Sequence, residues 1–150
     1  MSAAQATVKR LLQDLCDLED VNFETVSGDG LFYTYLRGKP GPPRFWVSST
    51  SHRDWFRLEA EEWGLWSTLD SIKRVRFVRE PEHDDPERET LSIRLVGAND
   101  RPWLGCVFVG LYDEQKQPVP ARFARWEALR AKYGGCDELR VENGRLICPA

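Results

Sequence analysis

His52 and His83, a cluster of cations around Arg74 and an acidic loop are the residues of this chain whose types and spacing could do chemistry. His52 lies in Ser49-Thr50-Ser51-His52-Arg53-Asp54, between Trp46 and Trp55. An imidazole there can ligate a haem iron, move a proton near neutral pH, or simply occupy a turn. Lys73, Arg74, Arg76 and Arg79 form a basic stripe. Residues two apart on a strand share a face, so Arg74 and Arg76 point together, toward a phosphate, a carboxylate, the acidic loop or solvent. That loop carries Glu80, Glu82, Asp84, Asp85 and Glu87 around His83. Clustered carboxylates can hold a hard cation, but this spacing matches no EF-hand and two prolines keep the carboxylates apart, so a solvated loop is expected. No Ser/His/Asp arrangement, Gly-x-Gly-x-x-Gly or phosphate loop is present, leaving a hydrolase or dehydrogenase without support.

Aromatic content is the unusual feature of the composition. Six tryptophans occur, and four of them fall between Trp46 and Trp66. Together with Phe32, Tyr33, Tyr35, Phe45 and Phe56 they either fill a large core or line a cleft for a flat apolar ligand. A net charge of −3 over 150 residues argues against a dedicated nucleic-acid binder, and the length suits one domain, 1–150. No apolar run reaches the roughly 18 residues of a membrane span, and the first residues lack the apolar core of a secretory signal. Cys16, Cys106, Cys136 and Cys148 form no Cys-x-x-Cys pair and no zinc template, so reduced thiols are expected.

The elements that must position these residues follow from periodicity. Val8, Leu11, Leu12, Leu15 and Leu18 make one stripe of a helix over 3–18, capped by Ser2 or Thr7. Strands are expected at Val21–Val26, Leu31–Arg37, Arg44–Ser49 and Trp55–Ala60, with Ser27-Gly28-Asp29-Gly30 as a hairpin turn. Trp63–Ser71 fits either a helical turn or a loop tucked over the core, with a short helical turn favoured. Three strands follow, at Ile72–Arg79, Glu89–Val96 and Trp103–Tyr112, and then an amphipathic helix over Ala121–Tyr133. Asn143-Gly144 closes a terminal hairpin between Glu138–Val141 and Arg145–Cys148. The fold class is α+β: a curved, mostly antiparallel, split-barrel-like sheet with an N-terminal helix, a C-terminal amphipathic helix and that hairpin.

From about Leu58 to Gly134 the order of pieces is RLEAEEWGLW, DSIKRVRFV, an acidic loop, TLSIRLV, WLGCVFVGLYDEQKQPVP and RWEALRAKYGG. It resembles the cytoplasmic haem-utilisation proteins of the HemS/ChuX/HutX kind, above all short single-unit cyanobacterial members. The opening LLQDLCDLEDVNFET resembles their first helix and strand. The resemblance implies a cytoplasmic, commonly dimeric protein that holds haem in an aromatic cleft of the sheet, as a carrier or store. Haem breakdown is the enzymatic variant. It makes His52 the candidate iron ligand and His83 a weaker one. Arg57, Arg74 and Arg76 become propionate contacts, with Trp46 and Trp55 as walls. The larger relatives place a histidine on the strand corresponding to Trp55–Arg57, and this chain has none there. The alternative is therefore a protein-interaction module on the same scaffold that has lost haem. Neither reading involves nucleic acid or membrane insertion.

Overall fold

Apolar residues at 8, 11, 12 and 15 wind onto one face of a helix, α1 (Val8–Asp17), and all four are buried. The computed structural model describes residues 2, 5–27 and 33–149. The helix begins later than its apolar spacing suggests because Thr7 is the cap: its hydroxyl accepts the Arg10 backbone N–H at 3.1 Å. Strands β1 (Val21–Val26) and β2 (Tyr33–Leu36) follow and pair antiparallel. Gly28, Asp29 and Gly30 of the expected turn, with Leu31 and Phe32, lie outside the described residues.

Next come β3 (Arg44–Val47), β4 (Asp54–Glu59) and β5 (Gly64–Thr68), a three-stranded antiparallel sheet of their own. The helical turn expected over Trp63–Ser71 is corrected here. Gly64–Thr68 is a strand, and only Leu69–Ser71 coils, as a single 3-10 turn. Strands β6 (Arg74–Pro81), β7 (Glu89–Val96) and β8 (Pro102–Phe108) precede α2 (Pro120–Lys132), and β9 (Glu138–Glu142) and β10 (Arg145–Ile147) close the order. The expected strand over Trp103–Tyr112 stops at Phe108, since Gly110 turns the chain with φ +65°. The terminal hairpin forms as expected, with Asn143 and Gly144 both at positive φ.

The larger sheet runs β10-β9-β6-β7-β8-β1-β2, antiparallel throughout, curved and unclosed, which makes the fold α+β. Its core face is a register: Phe77, Ile93, Cys106 and Phe23 lie opposite one another across four strands and are nearly inaccessible. Trp126 of α2 meets Phe77 edge-on at 6.2 Å and donates its indole N–H to the Ser92 carbonyl at 3.1 Å. Phe56 and Leu58 bring the inner face of the small sheet into the same core.

Two cysteines depart from expectation. Cys136, just after α2, and Cys148, just after β10, form a disulfide with Cα atoms 5.8 Å apart. Cys16 and Cys106 are free and buried as expected; burial pushes the Cys16 thiol up to about 12 and the Cys106 thiol higher still. Among the described residues, no helix is long and apolar enough to cross a membrane.

Candidate functional site

Alternation along β4 sends Phe56 and Leu58 inward and therefore Trp55 and Arg57 outward. Register does the rest. Trp46 of β3 lies opposite Trp55, and Arg57 lies between Arg44 of β3 and Trp66 of β5. The outer face of the small sheet thus carries three tryptophans and two arginines. Trp46 and Trp55 are nearly parallel, 13° between planes, with centroids 6.3 Å apart. The Arg57 guanidinium stands 5.6 Å from the Trp66 ring centroid, a cation–π contact. Trp66 is 60% exposed and Trp46 41%, unusual for indoles that could have been buried.

Two donors on this face lack an acceptor among the described residues. Trp55 Nε1 and Arg57 Nε are buried atoms without a hydrogen bond; Glu59 Oε2 comes within 3.4 Å of Arg57 Nε as an ion pair, outside hydrogen-bond geometry. Flat apolar rings flanked by cations suit a planar ligand with anionic substituents.

The other expected site residues lie elsewhere. Arg74 and Arg76 do point together, but from β6 of the large sheet. Asp100 Oδ1 accepts from Arg74 Nη1 at 2.8 Å and from Arg76 Nη2 at 2.6 Å, and Glu138 pairs with both arginines. They are held by protein carboxylates rather than turned toward the tryptophans. His83 is exposed in the loop between β6 and β7. His52, exposed and at φ +55° in the β3–β4 turn, borders a cavity of about 690 Å³ that Lys9, Arg53 and Lys73 also line. Among the described residues, no tryptophan lines that cavity. Trp46, Trp55 and Arg57 are therefore brought together, and His52, His83, Arg74 and Arg76 are not brought to them. Trp66 and Arg44 belong to the face, although the sequence did not single them out as site residues; the signal for Trp66 was its place in an apolar, Gly-led run.

Arg76, first by its hydrogen bond and then by its charge, holds the Asp100 carboxyl below its ordinary value of 3.8, with Arg74 adding to the effect. A carboxyl depressed in the folded state stabilises the fold above its unfolded value and loses that contribution as pH falls through the folded one. Urea unfolding between about pH 5 and pH 2 is expected to show Asp100→Asn losing less stability on acidification than the wild type.

No protein-family model and no curated protein matches the sequence. Solved structures do match the fold. The "Heme Binding Protein ChuX" aligns over 83% of this chain and 71% of its own, with TM-score 0.62 and 12% identity. A second ChuX structure gives TM-score 0.63 at 11% identity, over 90% of this chain and 76% of that one. Protein AGR_C_4470 from Agrobacterium tumefaciens gives 0.62 at 17%, over 89% and 69%. Identities this low establish a shared backbone architecture and leave the site to be argued from the residues.

Proposed function

A ChuX-like fold is the premise from which we propose that this chain binds haem, laying the macrocycle on the outer tryptophan face of β3-β4-β5 as a carrier rather than a catalyst. The observation that carries the reading is the register that sets Trp46, Trp55 and Trp66 on one exposed surface with Arg44 and Arg57. The residues fit the group in part. Indoles offer stacking surface to the ring, and the partly exposed Arg57 guanidinium with Arg44 offers positive charge for propionate oxygens. Haem bound here supplies an iron, for which the three strands of this face carry no histidine; the affinity comes from stacking and ion pairing.

Titration with hemin and with iron-free protoporphyrin tests this. Both are expected to saturate with a shifted Soret band. The double variant Trp46→Ala/Trp66→Ala should bind both roughly tenfold or more weakly, since each stacked aromatic partner is worth about 0.5–1.5 kcal/mol. His52→Ala should leave protoporphyrin binding intact. Absence of saturable binding for either porphyrin overturns the reading. A second reading, a protein-docking module, is favoured by the number of large exposed side chains: Tyr33 and Tyr35 of β2 are 60% and 64% exposed, and Trp46 and Trp66 of the small sheet are exposed as well. It predicts that the double variant changes association state while porphyrins stay unbound.

A further inference from the structure

Away from the tryptophan face, two cavities of about 640 and 690 Å³ meet at three shared residues, Arg53, Asp70 and Lys73. Both fall within the range of small-molecule sites. Four cations line the pair, Lys9, Arg53, Lys73 and Arg101, against two carboxylates, Asp54 and Asp70. The whole chain has net charge −3, so this trough reverses the sign of the molecule around it. We propose that the trough is a phosphate-binding site, with Arg53 and Lys73 gripping a phosphate or diphosphate group between them.

Arg53 is set for such a role by its own contacts. Its Nη2 donates to Asp70 Oδ1 at 2.7 Å and to Thr68 Oγ1 at 3.1 Å, and Thr68 is buried. Those bonds use one corner of the guanidinium and fix its plane. The Nη1 and Nε donors carry no hydrogen bond to any described residue, and a planar fork of this kind matches two oxygens of one phosphate.

Lys73 supplies the second charge. Its backbone is clamped on both sides: its N–H donates to the Val96 carbonyl at 2.8 Å, and its carbonyl accepts the Val141 N–H at 2.9 Å. Its ammonium makes no close ion pair with a described residue; its charge reaches Asp70, which Arg53 holds by hydrogen bond. A cation with a fixed backbone and no close ion pair lowers the electrostatic energy of an incoming anion without first breaking a bridge.

Trp103 gives an independent pointer. Its indole Nε1 is buried without a hydrogen-bond partner among the described residues, and Trp103 lines the first cavity. Gly97 borders the same cavity; a Cβ there would come within 3.2 Å of Trp103 Cδ1 and 3.4 Å of the Ser71 carbonyl. The glycine leaves the indole edge uncrowded. A buried donor without an acceptor thus borders one end of a trough that four cations also line.

Isothermal titration with inorganic pyrophosphate at low ionic strength tests the proposal. Wild type is expected to bind saturably, at one site, with affinity falling as salt rises. Lys73→Met, an exposed substitution, should weaken binding tenfold or more while circular dichroism stays native, and Arg53→Lys should weaken it too. Unsaturable heats at millimolar pyrophosphate, or Lys73→Met binding as tightly as wild type, would overturn the proposal. Citrate bound more tightly than pyrophosphate would overturn the assignment to phosphate. The site is independent of the porphyrin face: Lys73→Met should keep its porphyrin affinity, and Trp46→Ala/Trp66→Ala should keep its pyrophosphate affinity.

Discussion

Phe56→Ala is expected to destabilise the fold by about 3–5 kcal/mol, the range for removing a fully buried aromatic ring. Phe56 is 0% exposed, and its ring lies 6.2 Å from that of Trp103, so its loss opens a void between the two sheets. Total stabilities of single domains are about 5–15 kcal/mol, so the variant loses a large share of its margin. Urea titration reads this as a lowered midpoint. Phe56 shares its strand with Trp55 and Arg57, which lie on the opposite face. Porphyrin binding should therefore fall with the fold in Phe56→Ala. Trp46→Ala, on the exposed side, should weaken binding while shifting the midpoint little. A Phe56→Ala protein as stable as wild type would show that the small sheet is not clamped to the core.

The second large effect belongs to the Cys136–Cys148 bond. It closes a loop with sequence separation 12, for which the chain-entropy argument gives about 3 kcal/mol. Cys136→Ser/Cys148→Ser should lose that much, and reduced wild type should match it. The loss should concentrate where the bond acts, at the junction of the end of α2 with the terminal hairpin. Thiol labelling offers a clean count. Native reduced protein should label at Cys136 and Cys148 first, because burial keeps the Cys16 and Cys106 thiols protonated and covered. Four labels should appear together only after unfolding.

Where local pattern and burial agree, the structure was legible in the sequence. Glu89–Val96 is a strand with the expected bounds because its two ends and its alternation are set by the strand itself. Asn143-Gly144 closes the terminal hairpin because that dipeptide accepts positive φ on both residues. Gly64–Thr68 misled for a physical reason. Its Trp66 points to solvent, so an apolar residue marks the outer face, and the usual equation of apolar with inward fails there. Leu111 and Tyr112 likewise extended a strand on hydrophobicity alone, past a backbone that had already turned at Gly110.

Site residues were legible only as types. Tryptophans at 46 and 55 announce stacking surface, but their meeting depends on cross-strand register, which no local pattern specifies. Arg74 and Arg76 share a face as alternation requires, yet Asp100, far along the chain, determines what they hold. The same is true of the disulfide. Its partners flank α2 and β10, and only the packing of helix end against hairpin end makes them neighbours.

One seam of the fold bears on how the chain matures. The Val8 N–H donates to the Gly144 carbonyl and the Leu146 N–H to the Ala6 carbonyl, so the entry to α1 is stitched to the terminal hairpin. During synthesis from the N-terminus, α1 leaves the ribosome long before its partner exists. Until then β6 lacks β9 on one edge, and that edge stays open to other chains. Cooperative closure must wait for residues 138–147, which makes this a slow, high-contact-order assembly. Truncation within that hairpin should leave a nascent chain that looks nearly whole and aggregates rather than folds.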